Sequence, residues 1–123
     1  MDDSLALIER VLIDVPELRE TYAQHLAEYG DPLPHVFMAD VVRFVLEKVE
    51  NHEAQAALVR LLERLDEEIR IGSQAIQDLV GTSFAENLIG ETEALRELWP
   101  LMKPALRKEV ENFCGTAWRE DEG

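Results

Sequence analysis

The chain has 123 residues, 46% of them hydrophobic and 31% charged, with a net charge of −14 and an isoelectric point near 4.5. That length suits one domain able to bury roughly two-thirds of its unfolded surface, and the apolar content is too high for a disordered acidic tail. So large an acid excess repels phosphate backbones and anionic bilayers, so the expected partner is a protein, neither nucleic acid nor membrane.

No apolar run approaches the ~18 residues of a membrane span, and the acidic opening Met1-Asp2-Asp3 is the reverse of a signal peptide. Cys114 stands alone, so no internal disulfide is expected. A cytoplasmic location follows as the expectation. The first forty residues hold nine acids against two bases, the most acidic third of the chain.

Apolar residues recur at three and four, and strand alternation is missing, so the predicted elements are helices. The first carries Leu5, Ile8, Val11, Leu12 and Val15 on one stripe, with Asp2 or Asp3 suited to its N-terminal dipole. Pro16 opens a second helix with Leu18, Tyr22, Leu26 and Tyr29 on its apolar face, ended by Gly30. Asp31-Pro32-Leu33-Pro34 is a loop, because two prolines at this spacing do not sit inside a helix.

His35 to about Asn51 reads as a third helix, apolar around most of its circumference and therefore central. Asn51 is the expected cap of a fourth, in which Leu58, Leu61, Leu62, Leu65 and Ile69 repeat at helical spacing up to Gly72. Ser73 caps a fifth that runs to Ile89, and Gly81 within it marks close helix packing. Thr92 to Trp99 forms a sixth; after Pro100 and Pro104 a last helix uses Leu106, Val110 and Phe113. The predicted fold is all-α: one compact domain of six to seven helices over residues 1–118, a bundle or short stack of helical hairpins. Residues 119–123 are expected to be a frayed acidic tail.

Phosphate loops, dinucleotide fingerprints, zinc-protease helices and nucleophile elbows are all missing, so no catalytic residue, cofactor or metal is expected. His25 with Glu28 reverses the order of a di-metal carboxylate helix and occurs once, which makes His25 a core-edge residue. His35 starts a helix and His52 sits in an exposed turn. Glu63, Asp66, Glu67 and Glu68 lie three and four residues from Arg60, Arg64 and Arg70, the pattern of a solvated, ion-paired helix face. Asp40 stands in the most apolar helix and needs a partner if buried, with Arg43 the local candidate; Asn87 borders the fifth helix's packing stripe. These polar residues are expected to stitch the third helix to the fifth, the alternative being that they line a binding site.

Ser83-Phe84-Ala85-Glu86-Asn87-Leu88, read with the helix bearing Asp40 and with the later Leu98-Trp-Pro-Leu-Met-Lys-Pro stretch, resembles a group of small bacterial all-helical proteins of largely unassigned function. Ser83, Phe84, Glu86, Asn87 and Leu88 match its Ser-Phe-x-Glu-Asn-Leu motif, and the resemblance spans about 35–110. It implies a helical fold and a setting that includes toxin–immunity neighbourhoods.

The functional expectation is a non-catalytic immunity protein or inhibitor that neutralises a basic toxin. Its expected contact surface is Glu17, Glu20, Tyr22, Glu28, Tyr29 and Asp31. The alternative is a self-associating helical module, suggested by an exposed Trp118 and by the apolar third helix; monomer and homodimer both remain open.

Overall fold

The computed structural model describes residues 3–120, and among them every regular element is helical. Helix α1 (Asp3–Asp14) is followed by a 3₁₀ turn (Pro16–Leu18) and α2 (Arg19–Tyr29). Next come α3 (Pro34–Asn51), α4 (Gln55–Ile71) and α5 (Gln74–Leu79). A π segment (Val80–Ala85) and a 3₁₀ turn (Glu86–Leu88) continue α5, so the predicted fifth helix is one rod with three hydrogen-bonding patterns. Helix α6 (Thr92–Leu98), a 3₁₀ turn (Trp99–Leu101), α7 (Pro104–Cys114) and α8 (Ala117–Glu120) complete the domain. Asp2 and residues 121–123 of the expected tail lie outside the described residues. Arg119 belongs to α8 and pairs with Glu111 at 3.2 Å.

One core joins all the layers. Leu7, Ile8 and Val11 of α1, Phe37, Met38, Val41 and Val45 of α3, and Leu58, Leu61, Leu62 and Leu65 of α4 meet Val80 and Phe84 of the π segment and Leu106 and Val110 of α7. Helices α1 and α4 run antiparallel, because Arg10 reaches Glu68 while Asp14 reaches Arg64. Helix α3 is amphipathic, not buried all round as its composition predicts: α2 and α6 flank it, and Arg43, Glu47 and Glu50 face outward.

Local chemistry explains the element ends. Gly30, at φ 81°, and Gly115, at φ 68°, take left-handed conformations after α2 and α7. Ser73 Oγ accepts from the Ile76 N–H and donates to Asp3, joining the start of α5 to α1. Asn51 is the last residue of α3, not the cap of α4. The turn passes through His52 at φ 56° and Ala54 at φ 55°, with the Glu53 N–H donating back to the Lys48 carbonyl.

Helix α7 packs closely against the π segment. A Cβ on Gly81 would stand 2.5 Å from Glu109 Oε1 and 2.8 Å from Phe113 Cε2, so α7 packs directly on the glycine backbone. Within the segment Thr82 Oγ1 bonds back to the Asp78 carbonyl, and Ser83 Oγ is paired with His35 Nδ1 of α3. Gly81→Ala therefore destabilises by about 1 kcal/mol, because overpacking of 1–3 kcal/mol outweighs the ~1 kcal/mol gain in helix propensity. Urea denaturation of the two proteins measures it, and an alanine variant more stable than the parent would contradict this packing.

Candidate protein-binding surface

Hollows open on both flanks of helix α3. Toward α2, a hollow of about 270 Å³ is lined by Gln24, Glu28, Asp40, Arg43 and Glu47 with His25 at its base. Toward α6, Leu46, Val49, Glu50, Glu93 and Glu97 line another of about 280 Å³, which runs past His52 into a third of about 310 Å³ over Leu58, Leu98 and Leu101. Glu47 and Glu50, one turn apart on α3, place one carboxylate in each flank.

His25 organises the α2 flank. It is 2% exposed and its Nε2 accepts the Leu33 N–H at 3.0 Å, which leaves the proton on Nδ1, 3.3 Å from Asp40 Oδ2. Tyr22, Tyr29 and Phe37 surround the ring, with centroids 6.3, 4.9 and 5.7 Å away. Asp40 also pairs with Arg43. Asp40 thus joins α3 to α2 rather than to the fifth helix. Asn87 is exposed, and its Nδ2 donates to the Ser83 carbonyl of its own rod at 2.6 Å. The link between α3 and the fifth helix is instead His35 Nδ1 with buried Ser83 Oγ. His35 and Ser83 lie 48 residues apart, so no local spacing signalled their pairing.

The predicted contact residues divide between two faces. Glu20, Glu28, Tyr29 and Asp31 are exposed along α2 and its following loop, beside Leu33. Tyr22 is half-buried, edge-on to Phe37 at 5.1 Å. Glu17 turns the other way: it accepts from Arg60 at 2.7 and 3.3 Å, and this bond lowers its pKa. Nor does Trp118 offer a self-association face. It is 6% exposed, packed edge-on against Trp99 at 5.1 Å, with Arg119 over both rings.

The acid cluster of α4 is a structural network rather than a solvated face. Glu68, 1% exposed, takes Arg10 through both carboxylate oxygens at 2.6 Å and Arg64 at 3.3 Å. The bonds to Glu68 raise the pKa of Arg10; at Arg64 the bond it donates to Asp14 does so first. Asp66, 3% exposed, accepts the Leu106 N–H at 2.9 Å and supplies the cap that Lys103 does not give α7. Glu63 meets Lys103 at 3.1 Å and Glu67 meets Arg70. Local spacing identified the exposed pairs but not the burial, because α1 and α7 cover α4 from distant parts of the chain.

Two titratable groups are perturbed on the opposite side. Cys114 donates to the Ala85 carbonyl at 3.4 Å and burial pushes its thiol pKa up, so it stays protonated at neutral pH. Burial, then Asp78, raises the Glu109 pKa. A carboxyl with a raised folded pKa favours folding below its unfolded pKa and loses that contribution as pH rises through the folded value. Glu109→Gln is therefore stabilising at pH 7, by an amount that shrinks as pH falls toward 4. Thermal unfolding across that range checks it, and a gain independent of pH would contradict the cause.

Among the described residues no three His, Cys, Asp or Glu side chains are placed to hold a metal ion, and no helix is long and apolar enough to cross a membrane. Helical layers with open, shallow, acid-rimmed hollows define an all-α domain whose concave surface lies between helices. The chain belongs to the family described as Domain of unknown function (DUF7674), whose model matches residues 8–116. Neither a curated protein nor a solved structure matches it.

Proposed function

We propose that this chain is a non-catalytic protein-binding domain, an immunity-type protein or inhibitor that captures and neutralises a basic toxin domain in the cytoplasm. The sorting of its charges carries the reading. Arg10, Arg43, Arg60, Arg64, Arg70, Lys103 and Arg119 are each held by a carboxylate of the same chain. Glu20, Glu28 and Asp31 on the α2 side, and Glu47, Glu50, Glu93 and Glu97 along α3 and α6, are exposed and in no ion pair with another described residue.

A net charge of −14, with most of its cations held by carboxylates of the same chain while these acids face solvent, gives the molecule a negative outer field. Such a field accelerates capture of a positive protein and opposes phosphate-bearing ligands. Binding needs only this field and apolar anchors, among which Tyr29 and Leu33 are 44% and 40% exposed.

The test is co-purification with the basic product of the neighbouring gene in the native host, followed by stopped-flow association. The expected rate falls about tenfold or more between about 0.02 M and 0.5 M salt, as screening shortens the field. Salt-independent association, or no capture of a basic protein, would remove the reading.

A further inference from the structure

We infer that the groove between the C-terminal half of α3 and α6 is the seat of an amphipathic basic helix of the partner protein; this rests on the reading of the chain as a binder of basic proteins. The two hollows on this flank, about 280 and 310 Å³, share Val49, His52 and Glu97 and so form one continuous depression. Its floor is apolar: Leu46, Val49 and Leu101 are only half-buried, above the closed core residues Leu58 and Leu98.

The rim is acidic. Glu50, Glu91, Glu93 and Glu97 stand along it in no ion pair with another described residue. Among the described residues lining the groove, Lys48 is the one ammonium, and it is already held by Glu53 at 3.4 Å and lies over the Phe44 ring at 5.4 Å.

Three features select the occupant. The half-buried leucines and valine want apolar side chains laid onto them, which a purely hydrophilic cation does not supply. The glutamates on both sides want lysines or arginines flanking those apolar positions. Every regular element among the described residues is a helix, so no sheet edge is offered and the depression between helices suits a helix laid into it. A second copy of this chain fits poorly, because it brings the same strong negative charge to an acid-rimmed groove.

A synthetic peptide of about 16 residues tests this, with leucines at i, i+3, i+4 and i+7 and lysines elsewhere. The full chain, labelled with ¹⁵N, is titrated with the peptide and with a scrambled peptide of equal composition. Shifts are expected at Val49, His52, Ala94 and Glu97, with the scrambled peptide at least about tenfold weaker. Glu93→Lys with Glu97→Lys is expected to weaken binding about tenfold or more, and Glu9→Lys with Glu86→Lys, the same charge change at exposed acids outside the groove, by less than about twofold.

Equal binding of the scrambled peptide or of spermine at this site would reduce the groove to a bare acid patch and overturn the inference. Salt-sensitive binding whose shifts fall on α2 overturns the groove but leaves the basic-partner reading standing. Failure of both the peptide and the basic neighbour to bind removes the two together.

Discussion

Glu68→Ala lowers the stability of the folded chain by about 3 kcal/mol, a fall in Tm on the order of 10 °C for a domain of this size. The carboxylate is closed off from water and is gripped by Arg10 at both oxygens, with Arg64 sharing one of them. Removing it breaks charge-assisted bonds between α1 and α4 and leaves two guanidiniums without their shared partner. The arginines have other recourse: the Arg10 side chain is 42% exposed and Arg64 keeps Asp14. Arg10→Ala is expected to cost about as much, ~3 kcal/mol, because it leaves the closed-off Glu68 carboxylate with Arg64 alone.

A double-mutant cycle separates the pair from its surroundings. Coupling between Arg10 and Glu68 should exceed that between Arg60 and Glu17, an exposed pair of the kind worth ~0–1 kcal/mol. Chemical denaturation supplies all four corners. A Glu68→Ala loss below about 1 kcal/mol would mean that the arginines already find equivalent solvation, and the network would count for little.

His25→Phe lowers stability by about 2–3 kcal/mol even though a planar aromatic ring and its aromatic neighbours are retained. The imidazole bridges the α2 end, the proline loop and α3: it accepts from the Leu33 N–H and donates to Asp40. Phenylalanine keeps the contacts with Tyr22, Tyr29 and Phe37 but leaves the Leu33 N–H without an acceptor and Asp40 with Arg43 alone. His25→Ala adds a cavity and is expected to lose about 3–4 kcal/mol.

Hydrogen exchange locates the effect. The Leu33 amide should lose protection in His25→Phe while amides of α4 keep theirs under conditions of local opening. Unchanged protection at Leu33 would contradict the bridging role. Because Tyr29 and Leu33 are exposed beside this histidine, the same variant should also weaken any partner that uses the α2 edge, with little effect on a peptide seated against α6.

The sequence carried much of the architecture because its signals are local. Pro32 and Pro34 break the chain between α2 and α3, Gly30 ends α2, and Ser73 caps α5. The leucine repeat of α4 coincides with its buried face, and Gly81 anticipated the close approach of α7. These depend on backbone sterics and helical periodicity, which act over a few residues.

Side-chain fate did not follow from such neighbours. Composition made α3 look buried all round, yet a helix cannot bury a flank that no other helix covers, and α2 and α6 leave its Arg43-Glu47-Glu50 side open. The acids of α4 looked solvated because their near neighbours are arginines, whereas Arg10, 58 residues away from Glu68, and the N-terminus of α7, 40 residues from Asp66, enclose them. Trp118 looked exposed near a chain end, but Trp99 offered a ring to pack on.

By itself, then, the amino-acid sequence determined an acidic all-helical chain and where its helices break. Only the tertiary structure decided which carboxylates are neutralised inside and which face solvent, and that α3 and α6 enclose an apolar groove. The reason is physical: backbone breaks and helical periodicity are encoded within a few residues. The desolvation and pairing of a charge depend instead on whichever distant surface happens to cover it.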